Sequence, residues 1–300
     1  MDENLQIAKA LAQQLSVPIV GSQFRGEPFF FKKDFAIFLI EGLSAGFRWY
    51  THRDVPDNSF FFIQFGSDHS YETLSKQLDF FMEITKSRFS IDKVVCMCNT
   101  KDQMSIAHDL GMYRSVYVNH NCWLDWDLYF PTVGAIKYFD LVINTRPESW
   151  KRPHLCSGID KVAIIKGKLY RKHDYVDLHE LKPAYMNDTR ISQADVNRIL
   201  NKSWCGGIFS RSEGACYSSS EYLLAGLPVV STPSVGGRDV WYTDWNSIVV
   251  EPSVNSVKTG VEICKRRMSS GEVTPDEIRF HHISKSLEHR RRFVEAVDKC

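Results

Sequence analysis

Short runs of apolar, β-branched and aromatic residues recur along the chain, separated by stretches with helical spacing. The runs are Phe60–Phe65, Lys93–Met97, Asp140–Ile143, Lys161–Lys166, Gly207–Phe209 and Leu227–Ser231, each of strand length and bounded by turn formers. Their alternation with helical stretches predicts an α/β chain with parallel sheets. Residues 71–86 place apolar side chains at 74, 78, 81 and 84 or 85, a helical stripe that Asp68 and Ser70 can cap. Ser192 opens a second helix over Gln193–Leu200, with Asp195 three positions on, close to a capping box. No internal repeat or low-complexity tract interrupts this pattern.

A chain of 300 residues exceeds what one hydrophobic core usually serves, so two domains are expected. The stretch from Asn119 to Lys137 has no clear period, and fresh strand-helix units begin after it. The boundary is placed near Pro131, giving domains 1–131 and 132–285. Residues 286–300, with Arg290, Arg291 and Arg292 followed by Phe293, Val294 and Val297, read as a closing basic amphipathic helix. A solvated helix is the plain reading of it, and a membrane-surface contact is the alternative.

Composition narrows the function classes. Hydrophobic residues make up 43% and charged residues 24% of the chain, which is globular usage. Lys+Arg 37 against Asp+Glu 36 leaves a net charge of +1, without the basic excess of a nucleic-acid partner. The 8 cysteines are scattered, so free thiols in a reducing, cytoplasmic compartment are expected. Cys96-Met97-Cys98 is too tight for the usual zinc pair, and no second close pair follows it. Residues 1–14 lack the basic start and apolar block of a signal peptide. The apolar stretch Phe35–Ile40 is far shorter than the roughly 20 residues that span a bilayer.

Candidate chemistry concentrates in Gly206–Asp239. A strand ending at Ser210, a polar loop, a helix over Ser218–Ala225 and the strand Leu227–Ser231 form one strand-loop-helix-strand unit. Ligands of open α/β sheets sit at the carboxyl ends of the strands. Glu213 lies in the loop and Glu221 one turn into the helix, so both carboxylates are expected to face one crevice. The amides of Ser218, Ser219 and Ser220 would add the positive end of the helix dipole, which suits a phosphate. Taken singly, Glu213 reads as a turn residue and Glu221 as a solvated helix residue; the glycine, the helix start and the strand behind them change that reading.

The segment resembles the nucleotide-sugar site of retaining glycosyltransferases of the two-Rossmann-domain, GT-B type, most like glycosyltransferase family 4. The matching residues are Glu213-Gly214, Glu221, Gly226-Leu227-Pro228-Val229-Val230 and Gly236-Gly237. Thr145-Arg146 with Lys151 resembles the Arg and Lys of that family after its first strand of the donor domain. Asn121-Cys-Trp-Leu-Asp125, then Phe130-Pro131, resembles its linker. The resemblance covers residues 119–255 and little of the first hundred. It implies two Rossmann-like domains facing a cleft, the first short and on the acceptor side.

The implied activity is metal-independent transfer from a nucleotide-diphosphate sugar to a glycan, lipid or small-molecule acceptor, without a cofactor. Arg146 and Lys151 would neutralise the departing diphosphate. Glu213 would hold sugar hydroxyls and Glu221 the ribose, with Gly214, Ala215, Cys216, Tyr217 and Ser218 lining the donor. His69, at the end of the strand Phe60–Phe65 beside Asp68, is the acceptor-side histidine the resemblance suggests; His120, His52 and Gly21 are weaker candidates. Against this reading, Asp125-Trp126-Asp127 matches the metal-binding Asp-x-Asp of single-domain glycosyltransferases, although no long apolar strand precedes it. A glycoside hydrolase, a noncatalytic nucleotide-sugar-binding protein and a nucleotide-sugar epimerase are the rivals.

Overall fold

The computed structural model describes residues 30–32, 35–41, 58–65, 72–76, 79, 83 and 90–299. His69, Asp68, Ser70, His52 and Gly21 lie outside these residues, as does Cys300. The chain divides into two units, residues 1–124 with 286–300, and residues 125–285. The division thus falls after Leu124, where sequence reading places it near Pro131.

The first unit carries a five-stranded sheet in the order β1-β2-β3-β4-β5. Strand β1 (Phe30–Lys32) is antiparallel to β2 (Phe35–Glu41). β2, β3 (Phe60–Gln64), β4 (Val94–Cys98) and β5 (Ser115–Tyr117) run parallel. Every residue of β3 and β4 is buried, which is why both read as unbroken apolar runs. Residues 72–76 are helical, with Leu74 in the core beside Phe61, Ile63 and Val94. Helix α1 (Lys101–Asp109) starts where the Thr100 hydroxyl accepts the Gln103 amide at 2.9 Å.

The carboxyl ends of β3 and β4 are joined by buried amides. Gln64 Nε2 donates to Met97 O at 3.1 Å, and Asn99 Nδ2 to Phe65 O at 2.6 Å. Asn99 Oδ1 accepts the His120 amide at 2.8 Å. Burial holds the His120 imidazole down to a pKa of about 3, so it is neutral at physiological pH.

The second unit carries an all-parallel six-stranded sheet in the order β13-β11-β9-β6-β7-β8. Its strands are β6 (Leu141–Thr145), β7 (Val162–Lys166), β8 (Tyr185–Met186), β9 (Gly206–Ile208), β11 (Val229–Ser231) and β13 (Ser247–Val249). A separate two-stranded ladder pairs β10 (Ser212–Glu213) with β12 (Val235–Gly236). Helices α2 (Gln193–Asn201) and α3 (Tyr217–Leu224) connect strands of the sheet, and α4 (Val254–Ser269) follows β13. Ser192 caps α2, its hydroxyl accepting the Asp195 amide at 3.1 Å.

Winding from β6 proceeds to β7 and β8 on one side and then crosses to β9 on the other. The topological switch point therefore lies between β6 and β9, where loops diverge and leave a crevice. Gly206 permits α3 to lie on β9: a Cβ there would meet the Tyr222 ring at 2.1 Å. Gly226, with φ +75°, ends α3 in a Schellman turn, the Leu227 amide reaching Tyr222 O at 2.9 Å.

The closing helix α5 spans Pro275–Asp298, so it begins well before the expected residue 286. Its start is a capping box: the Glu277 amide donates to Thr274 Oγ1 at 3.3 Å, and the Thr274 amide to Glu277 Oε2 at 3.0 Å. Its basic run is also not simply a solvated face. Arg290 is 3% exposed and donates to Cys122 O at 2.6 Å and Leu124 O at 3.1 Å, while the Phe293 ring stands edge-on to Phe62 and Trp123.

Candidate functional site

The switch point brings Lys151 and Glu213 together. Lys151 ends a short 3-10 turn, Ser149–Lys151, reached just after β6. Glu213 ends β10, just beyond β9. The Lys151 ammonium donates to Glu213 Oε1, and both side chains are mostly buried. Around this pair, Asn144, Thr145, Pro153, Ser210 and Cys216 line a cavity.

The Glu213 loop is held rigidly. Gly237 donates its amide to Glu213 O at 3.2 Å and Gly214 O at 2.7 Å, and the Val235 amide reaches Arg211 O at 3.0 Å. Behind the loop, the fully buried Arg238 guanidinium donates to Ser210 O at 3.0 Å, to Thr232 O at 2.5 Å and to Asp239 Oδ1 at 2.6 Å. Arg152 donates Nη2 to Thr232 Oγ1 at 2.8 Å. Burial, together with the charges of Arg211 and Arg238, lowers the Arg152 pKa. Positive charge is thereby gathered beside Glu213.

The remaining sequence-selected residues divide. Gly214 and Ala215 are buried in the loop, and Cys216 caps α3 in the left-handed region at φ 59°. Burial, with the Glu213 charge added, pushes the Cys216 thiol up to about 12, so it is protonated at neutral pH and no nucleophile. Helix α3 opens at Tyr217 with Ser218 next, one residue earlier than expected. The expectation of free amides needs correction at Ser219, whose amide donates to Cys216 O at 3.1 Å, because the tight helix start closes a 3-10 turn there.

Glu221 does not share the Glu213 cavity. Its Oε1 accepts from the Tyr129 hydroxyl at 3.0 Å and its Oε2 from Asn144 Nδ2 at 2.9 Å. Ser218, Glu221 and Tyr222 occupy one helical face, and all three bind Asn144: Ser218 Oγ donates to its carbonyl at 3.3 Å and its amide donates to Tyr222 OH at 2.5 Å. Burial raises the Glu221 pKa against the lowering effect of the Tyr129 and Asn144 hydrogen bonds.

Arg146 also stands apart from the cavity. Its Nε lies 3.5 Å from Glu148 Oε2, and its guanidinium sits 5.2 Å from the centroids of both Trp150 and Tyr170. Asp125 Oδ1 accepts the Asp127 amide at 2.8 Å, closing a turn. Among the described residues no cluster of three His, Cys, Asp or Glu is placed to hold a metal ion.

Sequence reading missed Arg152, Arg238, Asn144 and Tyr129. Arg152 follows Lys151 and Arg238 follows Gly236-Gly237, so adjacency to the motifs was the available signal; Asn144 and Tyr129 carried none.

No protein-family model and no curated protein sequence matches this chain. Solved structures do. HepE from Anabaena, in complex with UDP, is 14% identical, with a TM-score of 0.59 over 81% of this chain and 73% of that one. A variant of S. aureus TarM in complex with Fondaparinux, alpha-GlcNAc-glycerol and UDP is 14% identical, with a TM-score of 0.61 over 87% of this chain and 55% of that one. The pneumococcal O-GlcNAc transferase GtfA, in complex with UDP and GlcNAc, is 14% identical, with a TM-score of 0.57 over 87% and 56%. The chain thus spans about half the length of TarM and GtfA. The likeness establishes the fold as α/β with parallel sheets, of the GT-B glycosyltransferase kind.

Proposed function

We propose that this protein is a retaining glycosyltransferase that moves a sugar from a nucleotide-diphosphate sugar to a glycan, lipid or small-molecule acceptor, without a metal ion. The observation that carries this reading is the Lys151–Glu213 pair at the switch point between β6 and β9. The UDP present in HepE, TarM and GtfA structures supports a nucleotide donor.

In this reading the diphosphate takes the Lys151 ammonium, with Arg152 and Arg211 adding positive charge in the place a metal ion would otherwise fill. Glu213, displaced from Lys151, accepts hydrogen bonds from sugar hydroxyls. Glu221 keeps lone pairs beyond those used by Tyr129 and Asn144, and with them accepts from the ribose. Arg146 acts by stacking on Trp150 and Tyr170, which shapes the loop that carries Lys151. The anomeric C–O bond to the phosphate breaks while the acceptor oxygen bonds the same face, and the acceptor proton passes to the leaving diphosphate. No protein nucleophile is required. A glycoside hydrolase would need two carboxylates flanking one bond, whereas Glu213 pairs with a lysine and Glu221 binds Tyr129 and Asn144.

The test is turnover with a panel of UDP, GDP and ADP sugars, with and without chelator. Transfer that survives chelation and retains the anomeric configuration is expected. Hydrolysis without nucleotide dependence, or activity abolished by chelator and restored by manganese, would sink the reading.

A further inference from the structure

The segment 130–138 presents apolar side chains outward from a fixed scaffold. The Ala135 amide donates to Thr132 O at 3.2 Å and Gly134 takes φ +73°, so Val133 and Gly134 form the tip of a tight turn. Val133 is 101% exposed and Ile136 84%, with Phe130 and Tyr138 half exposed beside them. This exposure is built in. The buried Asn197 and Asn201 of α2 grip the segment: the Phe130 amide donates to Asn197 Oδ1 at 3.2 Å, the Thr132 amide to Asn201 Oδ1 at 2.6 Å, and Asn201 Nδ2 to Phe130 O at 2.9 Å. At the other end, the Tyr138 amide donates to Lys202 O at 2.7 Å.

Cations rim the same surface. Lys161 Nζ lies 5.0 Å from the Tyr138 ring centroid, and Arg198 and Lys202 line the groove between the segment and α2. Lys137 lies within the segment but is withdrawn from this surface: burial lowers its pKa to about 8. Of the neighbouring carboxylates, Asp195 is paired with Arg198 and Asp140 with Lys265, each at 2.6 Å.

We propose that this segment is a docking element for an anionic lipid surface, with Val133 and Ile136 entering the headgroup boundary and Lys161 and Lys202 contacting acidic headgroups. Two aliphatic side chains on a turn are too small a footprint for a stable protein partner, which needs roughly 800 Å² a side. They suit interfacial insertion, where aliphatic tips go deepest, tyrosines lie at the boundary and lysine stems snorkel. Basic residues beside the tip add attraction to acidic lipids that salt screens.

Cosedimentation of the full chain with phosphatidylcholine vesicles, with and without phosphatidylglycerol, tests this. Binding to the anionic vesicles that weakens with salt is expected. The double variant Val133→Ser, Ile136→Ser should weaken it by on the order of tenfold or more with an unchanged melting temperature, since both side chains are in solvent. A second variant, Lys161→Gln with Lys202→Gln, should erase the preference for phosphatidylglycerol. Failure of the wild-type protein to bind, or equal binding by the serine variant, would overturn the proposal. A dimer in light scattering that the serine variant dissolves would assign the surface to a second copy instead.

Discussion

The Lys151 ammonium and the Glu213 carboxylate neutralise each other until an anion competes for the lysine. This gives the two side chains opposite signatures. Lys151→Ala should weaken a nucleoside diphosphate by roughly ten- to a hundredfold, the loss of one charge-assisted hydrogen bond, and lower kcat further because the leaving group gains charge. Glu213→Gln should leave nucleoside diphosphate affinity unchanged or raise it, because the lysine is released, while kcat with the sugar donor falls. Calorimetric titration with both ligands separates the cases. His120 supplies a pH signature: the unfolded imidazole titrates near 6.5 and the folded one near 3. Between those values the unfolded chain binds more protons, so stability falls as pH drops through that window, by about 1.4 kcal/mol per pH unit for one proton. Urea unfolding of wild type and His120→Gln across that range should show a shallower pH slope in the variant. Glu148 adds a lower window. Burial opposes its charge, but the Tyr170 and Arg171 amides, the Trp150 indole and Arg146 outweigh it and hold its pKa below 4.5. Its contribution is present above 4.5 and is lost as pH falls through the folded value.

Among the elements, α3 and its two flanking strands are fitted through glycines. Gly206→Ala would drive a methyl group into Tyr222, which sits at 2.1 Å from the position of that Cβ. Overpacking of this kind costs about 1–3 kcal/mol. Because Tyr222 also accepts the Asn144 amide, the variant should lose nucleotide affinity along with stability; a melt and a titration on one sample read both. At the start of α5, Thr274→Ala removes the capping box and should cost about 1 kcal/mol by chemical denaturation. The cores of β3, β4, β6, β7 and β11 were legible as apolar runs, as was the α2 cap at Ser192. β9 was legible too, as the run Gly207–Phe209; β5, β8, β10, β12 and β13 were not read as strands, and with two or three residues each they owe their extension to the neighbour they pair with. The Thr274-Pro275-Asp276-Glu277 start of α5 was available in the sequence, whereas the expectation of a helix from 286 rested on the arginine run and the apolar Phe293, Val294 and Val297 that follow it.

For the whole molecule, the two units have separate cores, and the residues of α5 fall in both units. Phe293→Ala empties a site between Phe62 and Trp123 and should destabilise the first unit by about 3–5 kcal/mol. A nucleoside diphosphate should stabilise the second unit by about 2.7 kcal/mol at a hundred times its dissociation constant. Calorimetry of the variant should therefore show a lowered transition that ignores the nucleotide and a second that responds to it; a single transition shifted by both would refute the separation. No helix among the described residues is long and apolar enough to cross a membrane. The sequence by itself determined the α/β class, the buried strands and the Glu213-to-Gly237 motif, because burial periodicity and turn chemistry are local properties. Tertiary structure alone decided that Lys151 meets Glu213, that Glu221 binds Tyr129 and Asn144, that Arg146 stacks on Trp150 and Tyr170, and that Arg290 is buried. Each of those contacts joins residues that strand order and packing bring together, and a charged side chain of given spacing reads the same whether its partner is water, a ring or a carboxylate.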